Sequence, residues 1–168
     1  MGTTTSKLKL TKPYESDTVS INVINANMDI IDNLVHIVSS GTATSTKYAA
    51  NSDTSADGNV TWRYKKYDDG TFSANCKFET TNLRCNGASS GGEAYWSGSI
   101  KVNTPNIGIA SITDCQMHVA GNCMNWVMNI TGQSILNYVT YRLACIFNEG
   151  SEAAIYKQMF IHIEGTWK

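Results

Sequence analysis

The residues best suited to metal chemistry are five cysteines and three histidines, and the tightest cluster is Cys115, His118 and Cys123. Thiolate and imidazole groups are the ligands that zinc prefers. On a strand, however, Cys115 and His118 would point to opposite faces, and no CxxC motif accompanies them. We therefore expect no metal site. An odd number of cysteines without a secretory leader favours free thiols in a reducing compartment.

Catalytic residues are not predicted either. His36, His118 and His162 lie far apart in the sequence, and we find no GxSxG, HExxH, P-loop or GxGxxG motif. We expect no cofactor. A glycan-degrading enzyme stays open as an alternative, since glycoside hydrolysis needs only two suitably placed carboxylates. The acids available for such a pair are Asp57, Asp68, Asp69, Glu79, Glu93, Asp114 and Glu164.

Composition narrows the classes of partner. The 168 residues carry 13 Lys and Arg against 14 Asp and Glu, which gives a net charge of -1. Nucleic acids and anionic membranes select basic surfaces, so we expect neither as a partner. No run approaches the roughly 20 apolar residues of a membrane helix, and residues 1–20 lack the apolar core of a secretory signal. Membrane insertion and secretion are therefore not expected.

The first 41 residues predict an extended segment followed by an oligomerisation helix, with Ser20 as the N-cap and Gly41 as the stop. A heptad seam runs along this helix, and β-branched residues at both core positions favour trimers. The apolar surface covers more than half of the circumference, so the helix needs a partner, either its own β domain or two further copies of the chain. The seam residues are Ile24, Met28, Ile31, Val35 and Val38.

The rest of the chain divides into a Ser/Thr/Ala-rich connector, residues 42–59, and a β domain, residues 60–168. In the β domain the hydrophobic period becomes two, and Gly with Asn or Asp separates about seven candidate strands. This pattern predicts a mainly β fold with a short N-terminal helix, in which the strands form an antiparallel sandwich or jelly roll. The predicted strands span 60–67, 71–78, 93–102, 109–119, 125–130, 135–147 and 154–164.

For one hairpin, Trp62 to Phe78, the alternation of apolar and polar residues determines which residues pair across the two strands. A three-residue turn, Asp68-Asp69-Gly70, with Gly70 in the left-handed region pairs Trp62 with Cys76 and separates apolar from polar faces. A two-residue turn would set apolar side chains against cations. On the outward face this register leaves candidate ligand-binding residues, namely Arg63, Lys65 and Tyr67.

A second candidate binding segment is the Gly/Ser-rich loop of residues 86–99, which leads into Tyr95 and Trp96. Exposed aromatic rings beside small polar residues often bind sugars or peptides. Neighbouring residues on a strand point to opposite faces, so at most one of the two rings belongs to the core. We predict Tyr95 and Trp96 as ligand-binding candidates.

Three segments together resemble phage and prophage tail-fibre proteins. The opening KLKLTKPYESDTVSINVINANMDIIDNL is similar to the start of many tail proteins, WRYKKYDDGT to a recurring hairpin, and HIEGTWK to a common ending. The resemblance covers residues 7–35, 62–72 and 162–168. The matched residues look architectural, and none fixes a host-binding site. They are Lys12, Pro13, Asn25, Asn27, Asp29, Ile31, Asp32, Trp62 and Gly70.

The resemblance implies a non-enzymatic virion protein assembled in the bacterial cytoplasm. It implies a homotrimer in contact with other tail or baseplate proteins, whose β domain recognises a host-surface glycan or protein. A purely structural baseplate or connector protein is the main alternative. The chain differs from such fibres in having one β domain where they continue much further.

Overall fold

In the computed structural model, the described residues are 3–4, 10–12, 21–32, 34, 36–52, 54–81, 83–88, 94–121, 125–129, 136–146, 148–150 and 156–168. The chain forms two compact units, Met1–His36 and Ile37–Lys168. Within the described residues, no helix is both long enough and apolar enough to cross a bilayer.

The described part of the first unit contains two short strands and one helix. Strands β1 (Thr3–Thr4) and β2 (Thr11–Lys12) pair antiparallel, and helix α1 spans Ile21–Asp32. The Asn27 side chain accepts the Thr11 N–H at 2.9 Å and donates to the Thr11 carbonyl at 2.9 Å. An asparagine amide thus satisfies both backbone groups of Thr11, as a neighbouring strand would. This contact joins two parts of the segment that resembles tail proteins, namely residues 11–13 (TKP) and residues 25–27 (NAN).

The predicted helix is too long. It ends at Asp32, and Ile37 and Val38 begin a strand, so Gly41 is not a helix stop and Val38 does not belong to a helical seam. Val35 lies outside the described residues. Ser, Thr and Gly are poor helix formers, and this segment gains ladder hydrogen bonds by pairing with the next strand. The prediction of a connector at 42–59 is also wrong, because residues 42–48 and 56–59 lie in two strands.

Among the described residues, the second unit holds ten strands in one antiparallel sheet, ordered β6-β7-β11-β8-β3-β4-β5-β12-β9, with β10 beside β11. Three of the seven predicted strands match the observed bounds within two residues at both ends. The observed strands are β3 (Ile37–Tyr48), β4 (Ala56–Tyr67), β5 (Thr71–Thr81), β6 (Gly87–Ala88), β7 (Tyr95–Trp96), β8 (Ile100–Asn103), β9 (Ser111–Gly121), β10 (Asn125–Asn129), β11 (Tyr138–Cys145) and β12 (Tyr156–Thr166).

The sheet curls so that side chains from the same face of its two halves meet in one core. Strand β3 belongs to both halves, pairing with β4 along its length and with β8 at Lys47–Val102. Phe78 on β5 packs against Tyr141 on β11, with ring centroids 6.5 Å apart. Both residues belong to a single core cluster, together with Trp62 and Leu143. The prediction of a mainly β fold with a short N-terminal helix is confirmed.

The predicted register of the first hairpin is also confirmed. Trp62 pairs with Cys76, Arg63 with Asn75, and Lys66 with Phe72. Gly70 has φ +89 and donates its N–H to the Tyr67 carbonyl at 3.1 Å. Trp62 is fully buried, as its place on the apolar face requires.

The C-terminal residues close the end of this hairpin. Trp167 donates its indole N–H to the Tyr67 carbonyl at 3.0 Å, and the Lys66 ammonium lies 4.7 Å from the centroid of its ring. Gly165 stands at a bulge where β9 comes very close, since a Cβ there would lie 1.9 Å from the Ser111 carbonyl oxygen. Glycine is therefore required at this position of the GTW ending.

A buried ion pair joins β12 to the neighbouring loops. The Lys157 ammonium donates to Glu149 Oε2 at 2.6 Å and to the Leu83 carbonyl at 2.7 Å, and both charged side chains are fully buried. Glu149 Oε2 also accepts the Cys85 N–H at 2.6 Å. The charges are thus paired and hydrogen-bonded, which is the condition for burying them.

Candidate functional site

The outward row of β4 lies where the hairpin register places it. Arg63 and Lys65 are exposed, whereas Tyr67 is half-buried. Arg63 borders a shallow depression of about 350 Å³, which it shares with Thr61, Asn75 and Lys77. The row is therefore accessible to a partner at Arg63 and Lys65.

The two aromatic residues of the Gly/Ser-rich segment form strand β7. Tyr95 pairs with Cys145 and packs against the core cluster, so this ring contributes to packing. Trp96 pairs with Ala144 and is half-buried. The loop before β7, residues 89–93, lies outside the described part of the chain.

A different aromatic cluster lies on the outer face where β3, β8 and β11 meet. The Lys101 ammonium lies 4.5 Å from the centroid of the Tyr138 ring and 5.1 Å from that of the Tyr48 ring. Asn103 donates to the Tyr48 hydroxyl at 3.3 Å. A cation over tyrosine faces is stabilised by the ring quadrupoles, so these contacts orient both rings.

The ladder registers explain why these residues meet. Thr140 pairs with Lys101, and Tyr138 pairs with Asn103. Because Lys47 pairs with Val102 on the buried face, Tyr48 falls beside Lys101 on the outer one. The cluster is thus built on three paired strands rather than on a loop, which favours a fixed geometry.

A groove of about 540 Å³ opens beside this cluster, and we call it the tyrosine–lysine groove. Its walls are the segment after β8 and the turn before β11, which are tied together where Thr104 N donates to the Asn137 carbonyl at 3.0 Å. Among the described residues, the lining includes one cation and no carboxylate. These residues are Lys101, Asn103, Thr104, Pro105, Asn106, Gly108, Ile109, Leu136, Asn137 and Tyr138.

The groove offers a recognisable chemistry. Asn103, Asn106 and Asn137 supply amides that both donate and accept hydrogen bonds, and a tyrosine presents an apolar ring with a polar tip. Polyhydroxylated molecules need paired donors and acceptors together with a flat apolar surface. The groove therefore suits a sugar better than an apolar ligand.

Sequence reasoning missed this site for a clear reason. Tyr48 fell in the predicted connector, and the contribution of Lys101 and Tyr138 depends on pairing between strands far apart in the chain. The alternation IKVN in β8, with Lys101 and Asn103 on the polar phase, was the available signal. It could indicate an outward cation but not its aromatic neighbours.

The cysteines that the structure describes pack in or against the core. Cys115 and His118 do lie on opposite faces of β9, with Cys115 pairing with Ile163 on the core side and His118 exposed. Burial raises the pKa of the Cys76 and Cys85 thiols to about 12, and that of Cys115 to about 11. These thiols are therefore neutral near pH 7. Cys123 lies outside the described residues, and the described ones hold no group of potential metal ligands.

No protein-family model, curated protein or solved structure matches this chain.

Proposed function

We propose that the chain is a tail-fibre-like virion protein whose β domain binds a host-surface glycan in the tyrosine–lysine groove. The observation that supports this most directly is the groove itself, with amides along its walls and two tyrosine rings held around Lys101 at 4.5 and 5.1 Å. The resemblance of the opening segment to tail proteins supplies the biological setting.

A glycan fits the groove better than a protein partner. Protein interfaces concentrate apolar and aromatic residues in a buried centre. Of the described lining residues, Leu136 is the exposed large hydrophobic one, and Ile109 packs against the core. The polar walls match sugar hydroxyls, and a tyrosine ring provides a stacking surface at low entropic cost.

Helix α1 supports self-association as a second part of the proposal. Three apolar side chains of the predicted seam are solvent-exposed within this unit, Ile24 at 41%, Met28 at 55% and Ile31 at 40%. Pairing these faces among three chains would remove them from water. The helix is only 12 residues long, so it needs support from the rest of the chain. Three weak glycan sites on one trimer would gain avidity.

The glycan proposal is tested by a glycan array and by titration of the glycans that respond. We expect Tyr138→Ala to weaken binding at least tenfold, because it removes one ring of the cluster. Lys65→Ala, an exposed change on β4, is the matched control and should bind as the wild type does. Silence of the wild-type protein across the array would reject this function and favour the structural baseplate alternative.

The trimer is tested separately by sedimentation at micromolar concentration. We expect a trimer for the wild-type chain and a smaller species for Met28→Asp, which places a charge on the apolar seam. Asn25→Asp adds the same charge at an exposed polar position of α1 and should leave the trimer intact. A monomeric wild-type chain would contradict self-association without affecting the glycan result.

A further inference from the structure

We propose that the opposite half of the sheet carries a second binding site, for a linear anionic polysaccharide. The site is a two-row band on the outer face of β4, β5, β12 and β9, and we call it the outer band. This proposal concerns a different surface and a different ligand from the tyrosine–lysine groove, so it stands or falls independently.

The first row of the outer band follows the ladder registers across four strands. Arg63 pairs with Asn75, Asn75 with His162, and His162 with Gln116. Arg63, Asn75 and Gln116 are exposed, and His162 is half-buried. A guanidinium, two amides and an imidazole therefore stand side by side in one line.

The second row runs parallel to the first, two residues along each strand. Lys77 pairs with Phe160, and Phe160 pairs with His118. Thr61 completes the row on β4, where it shares the 350 Å³ depression with Arg63, Asn75 and Lys77. The Lys77 ammonium lies 5.5 Å from the centroid of the half-buried Phe160 ring. An aromatic ring on an otherwise polar outer face is suited to stacking against a sugar.

Neither row contains a carboxylate, yet acids stand on both sides of the outer band. Glu164 and Asp114 pair in the next row on one side, where Glu164 Oε1 contacts His162 Nε2 at 3.0 Å and Asp114 accepts from Gln116 at 2.8 Å. On the other side Glu79 pairs with Gln158. Exposed Lys65 also lies on this face, in the same row as Glu164 and Asp114, because Lys65 pairs with Ser73 and Ser73 pairs with Glu164. The band is thus a strip two residues wide that holds cations and no carboxylate, beside a row of mixed charge.

The dimensions of this strip select the ligand. Four strands about 4.8 Å apart give a length of about 14 Å across the strands, which accommodates several sugar rings in a line. Arg63 and Lys77 lie at one end and match carboxylate or phosphate groups by charge, and Arg does so with two parallel hydrogen bonds. Thr61, Asn75 and Gln116 offer partners for hydroxyls.

A nucleic acid fits the outer band less well. Its affinity comes mainly from neutralising many phosphates, and the band holds only two side chains that are always charged. The flanking carboxylates would repel the wide phosphate surface of a duplex, whereas a single polysaccharide chain can stay within the strip.

The test uses the full chain in affinity electrophoresis with polygalacturonate, which carries a carboxylate on every ring. Neutral pullulan and a single-stranded oligothymidylate serve as comparison ligands. We expect retardation by polygalacturonate at low salt that weakens as salt rises, because the contacts are exposed. Pullulan should cause none.

Variants assign the binding to the band. Arg63→Gln with Lys77→Gln should weaken polygalacturonate binding at least tenfold, and Phe160→Leu several-fold with a similar salt dependence. The matched control, Lys168→Gln with Arg142→Gln, removes one lysine and one arginine outside the band and should stay within about twofold of the wild type. Thermal melting checks that every variant folds.

Several results would overturn the proposal. These are no retardation by polygalacturonate, equal losses in the band and control variants, or tighter band-dependent binding of the oligothymidylate. The last result would assign the band to nucleic acid. Tyr138→Ala, the groove variant, should bind polygalacturonate like the wild type, so failure of the groove proposal leaves this one testable.

Discussion

Lys157 and Tyr141 are both fully buried in the β domain, but they differ in the hydrogen bonds that their polar atoms make. The Lys157 ammonium has Glu149 and the Leu83 carbonyl as partners at 2.6 and 2.7 Å. The Tyr141 hydroxyl has no hydrogen-bond partner among the described residues. The Lys157 ammonium therefore connects β12 to the segments of Leu83 and Glu149. Tyr141 contributes through the packing of its ring in the core.

The comparison suggests that charge, rather than burial alone, requires a complete set of partners. An unpaired charge in the interior costs far more free energy than an unpaired hydroxyl. Burial also raises the pKa of Tyr141, so the phenol stays neutral at any ordinary pH. A neutral hydroxyl can be tolerated where the ring is well packed.

The largest expected effect follows from breaking the buried ion pair. Lys157→Met leaves the Glu149 carboxylate buried without its cation, and we expect the free energy of unfolding to fall by about 3–5 kcal/mol. Urea denaturation measures the change. A loss below about 1 kcal/mol would show that Glu149 is hydrated or protonated at no cost.

A double variant serves as the control for this effect. Lys157→Met with Glu149→Gln removes both charges, yet the side-chain carbonyl of the introduced glutamine can still accept the Cys85 N–H. We expect the double variant to recover at least half of the stability that Lys157→Met loses. No recovery would mean that lost packing, rather than the unpaired charge, dominates.

The next effect concerns alkaline pH. Cys76 and Cys85 have pKa values raised from 9.0 to about 12 by burial, so above pH 9 the unfolded chain releases protons that the folded chain retains. Stability is therefore full below pH 9 and falls as pH rises toward 12. We expect the free energy of unfolding to drop by roughly 2–3 kcal/mol between about pH 8 and pH 10 through these two thiols.

Urea titrations at the two pH values measure this slope. Cys76→Ala with Cys85→Ala should be less stable at the lower pH, because it leaves small cavities, but should lose less stability between the two pH values. An unchanged slope would assign the alkaline loss to other groups.

A smaller effect, of opposite sign, is expected at Tyr141. Tyr141→Phe removes a hydroxyl without a partner among the described residues and keeps the ring against Phe78. We expect stability to be unchanged or to rise by up to about 1 kcal/mol. Thermal denaturation at neutral pH is sufficient, and a clear loss of stability would indicate a hydrogen bond to that hydroxyl.

The smallest effect is expected at an ion pair that is partly exposed to solvent. Lys47 contacts Asp57, whose side chain is 57% exposed, in contrast to the fully buried Glu149. We expect Asp57→Asn to change the free energy of unfolding by less than about 1 kcal/mol, since exposed ion pairs contribute little. The difference from Lys157→Met should be evident in one set of urea curves.

The sequence predicted those parts of the structure that depend on neighbours in the chain. The register of the first hairpin followed from the turn residues and from the alternation of Trp62, Tyr64 and Phe72 against Arg63 and Lys65. Strand β3 was missed because its Ser, Thr and Gly residues gain their structure from pairing with β4. The groove was missed because Tyr48, Lys101 and Tyr138 are 37 to 90 residues apart and meet only in the folded sheet.

The position of β12 has a consequence for the order of folding. Strand β12 lies between β5 and β9, and it is the only ladder partner that β9 has among the described strands. Strand β9 is synthesised first and must wait until Tyr156–Thr166 has left the ribosome before its backbone can pair. Such long-range pairing slows folding and leaves an unpaired strand exposed in the meantime. We expect this domain to fold slowly, with β9 as the segment most in need of a chaperone.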